Sequence, residues 1–282
     1  MPQEPRNSAE VYVAFLDVLG FDSLVRHNSH EILKQVYSDA LMEGLCLGLS
    51  NGNYCISERD GNRYFTNDVD STPVNSLVVS DSIIIWSNDD ASDSFRNIVS
   101  VVRGIMAHSC FKGLPLRGAI EVGPVSWNYG QFDSPTFNVQ QSVYGLGLCK
   151  AYELEKLQEW SGCAVSDAAI ARFESMTTGN RAKSQGLEEL ISQKNLCRFE
   201  VPFKERPRLM YAIDWVNHPE VQARSETVRQ AFYDHNKLSG QNGLDESSSI
   251  SKKIENTLCF VRHVFPDADK RGIHAVWAAI GH

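Results

Sequence analysis

Apolar residues run almost without interruption through residues 11–19, a stretch with the length of one strand. Continuous apolar runs of this length are typical of strands that are covered on both faces. From Asp22 to Leu49 the apolar positions recur every three or four residues, which predicts a long amphipathic helix. Residues 50–75 are polar and contain glycine and proline, so we expect a loop or a loose hairpin there.

Two further apolar runs flank a polar segment centred on Asp81 and predict a β-hairpin. The pattern also predicts a helix over 89–111 and a strand over 114–127 that is interrupted at its two glycines. Further expected elements are a helix from residue 143 to about residue 160, strands at 163–166, 198–203 and 208–213, and a mostly helical C-terminal third. This order predicts an α+β fold with a mostly antiparallel sheet and helices on one face.

Composition narrows the expected partners. The 282 residues include 27 Lys and Arg against 35 Asp and Glu, which gives a formal net charge of −8. This balance argues against a nucleic-acid polymer as partner, because such binding neutralises many phosphates with basic side chains. A polar start, no membrane-length apolar segment and seven scattered cysteines favour a cytoplasmic protein with buried, unpaired thiols and no membrane partner.

Two aspartates stand out because each lies inside an otherwise apolar strand pattern. Asp17 interrupts the first run, and Asp81 lies at the tip of the expected hairpin. A buried ionised carboxylate is unfavourable unless it is paired, hydrogen-bonded or bound to a metal. Two readings stay open from the residues alone: a site for hard cations such as Mg²⁺ or Mn²⁺, or a turn residue and a helix cap.

Residues 14–21, Ala-Phe-Leu-Asp-Val-Leu-Gly-Phe, resemble the first metal motif of class III nucleotidyl cyclases. In that family a strand ends in Asp, the carbonyl of the next apolar residue also binds metal, and Gly-Phe opens a helix. The second metal aspartate lies in a hairpin turn, as Asp81 is expected to do. Residues 116–123 and 143–155 are similar to the family's next strand and its glycine-started helix, so the resemblance covers 11–166 in the family's order.

The resemblance implies a ferredoxin-like class III cyclase fold over residues 1–215, with residues 216–282 as a helical extension packed on it. It implies a homodimer whose sites lie at the subunit interface, and two divalent ions, Mn²⁺ or Mg²⁺. The expected metal ligands are the carboxylates of Asp17 and Asp81 and the carbonyl of Val18. Both aspartates are thereby also expected to be catalytic.

Nucleotide contacts are expected on the same basis. The amides of Leu19, Gly20 and Phe21, at a helix start, would hold the β- and γ-phosphates. The further nucleotide-binding candidates are Phe15, Tyr64 and Lys150. A bulky aromatic side chain could shorten the base pocket so that it fits a pyrimidine, and the candidates are Tyr37, Tyr54 and Tyr64. The alternative for each tyrosine is a role in core or surface packing. The alternative for Lys150 is a solvent-facing position on its helix.

Two departures refine the resemblance. Purine cyclases carry an Asn and, four residues later, an Arg on the glycine-started helix, where this chain has Cys149 and Glu153. Arg117 is the catalytic candidate to replace that arginine; the alternative is an exposed strand arginine in a salt bridge.

The combined motifs are similar to the bacterial pyrimidine cyclases of Pycsar antiphage defence, which are implied to make cyclic UMP or cyclic CMP for a separate cell-killing effector. We therefore expect UTP as the substrate. The alternatives are CTP, a catalytically silent cyclase-like nucleotide-binding module, and a different two-metal phosphotransferase.

Overall fold

The computed structural model describes residues 7–59, 62–128, 142–177, 183–221, 224–238 and 249–266. The strands are β1 (Asn7–Val18), β2 (Tyr54–Arg59), β3 (Asn62–Asn67), β4 (Asn75–Val79), β5 (Ser82–Trp86), β6 (Leu116–Asn128), β7 (Ser142–Tyr144), β8 (Cys163–Val165), β9 (Leu196–Val201) and β10 (Arg208–Ile213). The helices are α1 (Phe21–His27), α2 (His30–Val36), α3 (Glu43–Ser50), α4 (Ser92–Phe111), α5 (Leu146–Lys156), α6 (Asp167–Met176), α7 (Lys183–Ser192), α8 (Ser225–Leu238) and α9 (Ser249–Val264), with a π-helical segment at Tyr37–Met42.

The main sheet has the strand order β4-β5-β1-β6-β8-β10-β9, with β7 paired to β6. Its pairs are antiparallel except for β6 with β8. Within it, β1, the α1–α3 region, the β4–β5 hairpin, α4 and β6 follow one another as β-α-β-β-α-β, with β1 between β5 and β6, which is ferredoxin-like topology. The expected α+β class with a mainly antiparallel sheet is confirmed.

Strand β1 is buried on both faces, which explains its almost unbroken apolar sequence. Tyr12 and Leu16 belong to the large core that contains α4. Val13 and Phe15 point to the other face and pack in a smaller core with Ala151 of α5. Successive side chains of a strand alternate between faces, so each face takes every second residue. The expectation of helices on one face only is wrong, because α5 covers the second face.

Three boundaries differ from the expectations. The helix expected from Asp22 is divided into α1, α2 and α3, since α2 has its own N-cap, Ser29, whose Oγ accepts a bond from the Ile32 amide. The helix expected from residue 143 begins at Leu146, after β7. Strand β6 continues through Gly118: a Cβ there would lie 2.2 Å from a Leu16 side-chain carbon, so this glycine makes room for the Leu16 side chain and does not interrupt the strand.

Both expected hairpins form. The polar segment after α3 folds as the separate two-stranded sheet β2–β3, and β4–β5 turns at Asp81.

In the C-terminal part, α8 and α9 place Phe232 and Phe260 in the same core as Leu16. The division into a catalytic domain and a helical extension stays a prediction.

All seven cysteines lie in the described part of the chain and are free thiols. Cys110 and Cys163 are buried as expected, whereas Cys55, Cys149 and Cys259 are exposed. Among the helices that the structure describes, none combines the length and the apolarity that a bilayer crossing requires.

Candidate functional site

Asp17 is the penultimate residue of β1, and its neighbours across the sheet are both polar. Ser82 lies opposite it on β5, and Arg117 lies opposite it on β6. Ser82 Oγ donates a hydrogen bond of 3.2 Å to Asp17 Oδ1. The carboxylate is half-buried at the point where the strand ends and the chain turns into α1.

Asp81 reaches the same place from the β4–β5 turn. Ser80 takes a left-handed conformation (φ +58°) there, and the Asp81 carbonyl accepts a 3.2 Å bond from the Val18 amide. Burial, followed by the negative charges of Asp81 and then Glu155, raises the pKa of the Asp17 carboxyl to about 6, against the smaller effects of Ser82 and Arg117. The two aspartates expected from the sequence therefore lie close enough to repel each other.

This arrangement fits a divalent cation. A half-buried carboxylate that faces a second carboxylate lacks positive charge, and a hard cation with oxygen ligands supplies it. Asp17, Asp81 and the Val18 backbone between them would hold such an ion. Among the described residues, no third His, Cys, Asp or Glu joins the pair within ligand spacing, so the remaining positions are left to water or to the oxygens of a substrate.

Arg117 is held by α5. Its Nε donates to a carboxylate oxygen of Glu155, and its Nη1 donates to the Gln158 carbonyl at 3.0 Å. The side chains of both partners of this ion pair are nearly buried, at 12% exposure for Arg117 and 2% for Glu155. Burial raises the pKa of the Glu155 carboxyl, and the Arg117 charge opposes that rise. The salt-bridge alternative for Arg117 is thus present in the structure, and any catalytic role must operate from this paired position.

The segment that follows Asp17 opens a helix as the motif implies. Gly20 takes a left-handed conformation (φ +74°) as the N-cap residue, and α1 begins at Phe21. The Leu19 amide, however, donates to the Pro115 carbonyl at 3.1 Å. This amide already has an acceptor, so the expected phosphate contact through Leu19 would require that bond to break.

The other nucleotide-binding candidates occupy three different surroundings. Phe15 is 9% exposed and packs edge-to-face on Tyr152 of α5, with ring centroids 5.3 Å apart. Lys150 is exposed on α5, and Tyr64 is exposed on the separate β2–β3 hairpin. None of the contacts recorded for the described residues joins Lys150 or Tyr64 to the aspartates, and their roles stay predictions.

Of the three candidate tyrosines, Tyr37 is the one that the structure places near the aspartates. Burial raises the pKa of its hydroxyl, and the charge of Asp81 adds to the rise. Its ring also lines an apolar cavity with Val18 and Phe21. The sequence identified Tyr37 only as one aromatic among three, because the π-helical segment that begins at this residue left no clear signal in the hydrophobic pattern.

Glu155 is the ionisable group at this site to which the sequence assigned no role. It is the last residue of the motif over 143–155 and reads there as an ordinary helix residue. Only the packing of α5 across β1 and β6 brings its carboxylate to Arg117 and close to Asp17.

No protein-family model matches the chain, and no curated protein matches it. Three solved structures show what it is similar to in backbone. The adenylyl cyclase CyaB from P. aeruginosa has 16% identity and a TM-score of 0.45, covering 73% of this chain and 94% of that one. The guanylate cyclase domain of RhGC from Catenaria anguillulae in complex with GTP has 13% identity and a TM-score of 0.44, covering 73% and 97%.

The third is the dimeric guanylyl cyclase domain of the RhoGC fusion protein from the aquatic fungus Blastocladiella emersonii, with 12% identity and a TM-score of 0.46, covering 74% of this chain and 96% of that one. Similarities of this size assign neither a family nor an activity to the chain.

Proposed function

We propose that the chain is a metal-dependent nucleotide cyclase that converts UTP to 3′,5′-cyclic UMP and pyrophosphate. The observation that carries the proposal is the meeting of Asp17 and Asp81 at the end of β1, where the negative charge of Asp81 acts on the half-buried Asp17 carboxyl. The sequence around both aspartates supports it, through the resemblance to class III nucleotidyl cyclases.

In the proposed reaction the 3′-hydroxyl of the ribose attacks the α-phosphate in line, and pyrophosphate leaves. Catalysis of this kind depends on positioning and on neutralising charge. Bound Mn²⁺ or Mg²⁺ would lower the pKa of the attacking hydroxyl and neutralise the triphosphate. Asp17 and Asp81 would hold the ions, and the backbone amides of Gly20 and Phe21 would face the outer phosphates.

The pyrimidine substrate rests on the resemblance to Pycsar cyclases, with CTP as the alternative to UTP. That resemblance also implies that the product acts as an antiviral messenger and is read by a separate effector.

The homodimer belongs to the same proposal. It is supported by Ile56 and Phe65, two strongly exposed apolar side chains on the β2–β3 hairpin, which form the kind of surface that a second subunit covers.

A catalytically silent nucleotide-binding module is the second candidate, and the surroundings of Arg117 favour it. Cys149 and Glu153 replace the asparagine and arginine of purine cyclases. The proposed substitute, Arg117, is already paired with Glu155. A site without a free cation opposite the aspartates could bind a nucleotide and leave it unchanged.

The test is to incubate the purified chain with ATP, GTP, CTP or UTP and Mn²⁺, and to identify the product by mass. Cyclic UMP formed with pyrophosphate supports the proposal, and cyclic CMP alone would shift the substrate to CTP. Nucleotide binding without turnover, unaffected by Asp17→Asn, would favour the silent module. Pyrophosphate release without a cyclic product would indicate a different phosphotransferase.

A further inference from the structure

A second group of ligand-type side chains lies where the end of α4 meets the segment after β10. His108 comes from the last turn of α4, and His218 and Glu220 come from that segment. Their ligand atoms all lie within 4.8 Å of one another, and this is the one three-residue grouping of this kind among the described residues. None of the three belongs to the Asp17 site.

The spacing of these groups suits one small ion. His108 Nε2 lies 3.2 Å from Glu220 Oε2. Two ligands bound to zinc at about 2.0–2.1 Å each in a tetrahedral site lie about 3.3 Å apart. The imidazole rings of His108 and His218 meet edge-to-face with centroids 5.2 Å apart. An ion between them would need only small side-chain adjustments.

Burial favours the neutral form of both imidazoles, which is the form that metals bind. Burial and, less strongly, the nearby positive charge of Arg103 lower the pKa of His218 to about 4. Burial also lowers the pKa of His108, against the opposing effect of Glu220. His218 Nδ1 accepts a long hydrogen bond of 3.4 Å from the Glu220 amide. A ring nitrogen that accepts a hydrogen bond is unprotonated, and an ion bound through its lone pair would replace this long bond from the Glu220 amide.

The neighbouring cations already have partners, so the charge of Glu220 is left for an ion. Lys112 Nζ binds Glu43 Oε2 at 2.9 Å. Arg103 Nε donates to the Asp214 carbonyl at 2.8 Å, and the charge of Arg103 also acts on the Asp214 carboxyl. The Glu220 side chain is 46% exposed, which gives an ion a path from solvent and leaves room for water as a further ligand.

We propose that His108, His218 and Glu220 form a site for one divalent transition-metal ion, with Zn²⁺ as the representative. Two imidazoles and one carboxylate are a donor set that suits zinc and its neighbours and not Mg²⁺. The ion would join the end of α4 to the segment that leads into α8. Because it binds the folded chain, it would raise the melting temperature.

The test uses the full chain carrying Asp17→Asn and Asp81→Asn, so that the other candidate site cannot contribute. Co²⁺ and Zn²⁺ are titrated by calorimetry, and Co²⁺ is also followed by its visible absorption, which reports nitrogen ligation. We expect one ion per chain. His218→Gln and Glu220→Gln should each weaken binding by at least about tenfold, since each removes a ligand.

His30→Gln is the matched control, because His30 is an exposed imidazole on α2 outside the group, and it should bind as before. Circular dichroism establishes that each variant is folded. If His218→Gln does not fold, Glu220→Gln still tests the site, because Glu220 is exposed and its substitution disturbs the fold less. Absence of binding, or equal affinity in His218→Gln, Glu220→Gln and the parent, overturns the site. A loss in His30→Gln as large as in the other two variants overturns it as well.

Discussion

The aspartates at the end of β1 and the imidazoles at the end of α4 are both sets of metal-ligand side chains, but their electrostatic situations are opposite. Burial and mutual repulsion raise the pKa of Asp17, which shows that positive charge is missing there. Burial lowers the pKa of His218, which leaves an uncharged ligand. The first set suits a hard cation that arrives with an anionic substrate, and the second suits a transition metal held by the protein.

Glu155 adds a second contrast within the first region. It lies near Asp17 but has its own cation, Arg117, whereas among the described residues the hydroxyl of Ser82 is the one side chain that donates a hydrogen bond to Asp17. One carboxylate is thus satisfied by the fold, and the other requires a cation from outside. The following predictions test these contrasts, beginning with the largest effect.

Asp17→Asn should reduce cyclic UMP formation by about a thousandfold, because a metal site of this kind contributes several kcal/mol to catalysis. The measurement is the initial rate with UTP and Mn²⁺. Asp22→Asn is the matched control: Asp22 is the second residue of α1, exposed and paired with Arg26, and its loss should leave the rate within about twofold. A rate for Asp17→Asn within tenfold of the parent would contradict the role of Asp17.

Glu155→Gln should lower the free energy of unfolding by about 3 kcal/mol, because it leaves the Arg117 guanidinium buried without its counter-charge. Denaturant unfolding measures the change. The control is Glu43→Gln, which breaks the more exposed pair with Lys112 and should cost less than about 1 kcal/mol. Equal losses of unfolding free energy in Glu155→Gln and Glu43→Gln would contradict the expectation that the buried ion pair matters more than the exposed one.

The double variant Arg117→Met with Glu155→Met separates structure from catalysis, because it removes both charges and keeps apolar volume. It should recover most of the stability lost in Glu155→Gln. A rate of cyclic UMP formation more than about a hundredfold below the parent would support a catalytic Arg117. A retained rate would leave Arg117 as a partner of Glu155 only.

His235 provides the pH prediction. This buried imidazole on α8 has its pKa lowered to about 4 by burial, against about 6.5 in the unfolded chain. The unfolded state therefore binds more protons between these values, and stability falls as the pH falls from about 6.5 to 4, by about 2–3 kcal/mol. Urea unfolding across this pH range should show that the free energy of unfolding falls less steeply with decreasing pH in His235→Leu than in the parent. Parallel pH profiles of the two proteins would contradict the role of His235.

Gly20→Ala should give the smallest effect and lower the free energy of unfolding by about 1 kcal/mol. Gly20 has a left-handed backbone conformation, and a Cβ there would lie 3.2 Å from His235 Nε2. Gly52→Ala is matched to it: Gly52 has a similar φ of +79°, and no atom lies within 4 Å of a Cβ there. The difference in unfolding free energy between the two variants measures the contact with His235. A greater loss in Gly52→Ala would contradict that contact.

Several features of the fold were predictable from local pattern. Strand β1 and the β4–β5 hairpin follow from runs of apolar residues and from the turn at Asp81, since strand alternation and turn chemistry are local. For the polar segment that forms β2 and β3, the sequence left a loop and a loose hairpin open. The division of the expected long helix depended on Ser29 and the π-helical segment, which the three-to-four periodicity does not reveal. The sequence suggested a break in the strand at Gly118, whereas the structure shows a continuous strand in which Gly118 makes room for the Leu16 side chain.

The places of Asp17 and Asp81 at a strand end and a turn follow from the amino-acid pattern alone, because an aspartate inside an apolar run stands out from its neighbours in any fold. The surroundings of the two aspartates depend on how distant segments pack. Glu155 reaches Arg117 through the packing of α5 on the sheet. His108 meets His218 across 110 positions of the chain, and contacts between distant segments depend on packing that no local pattern records.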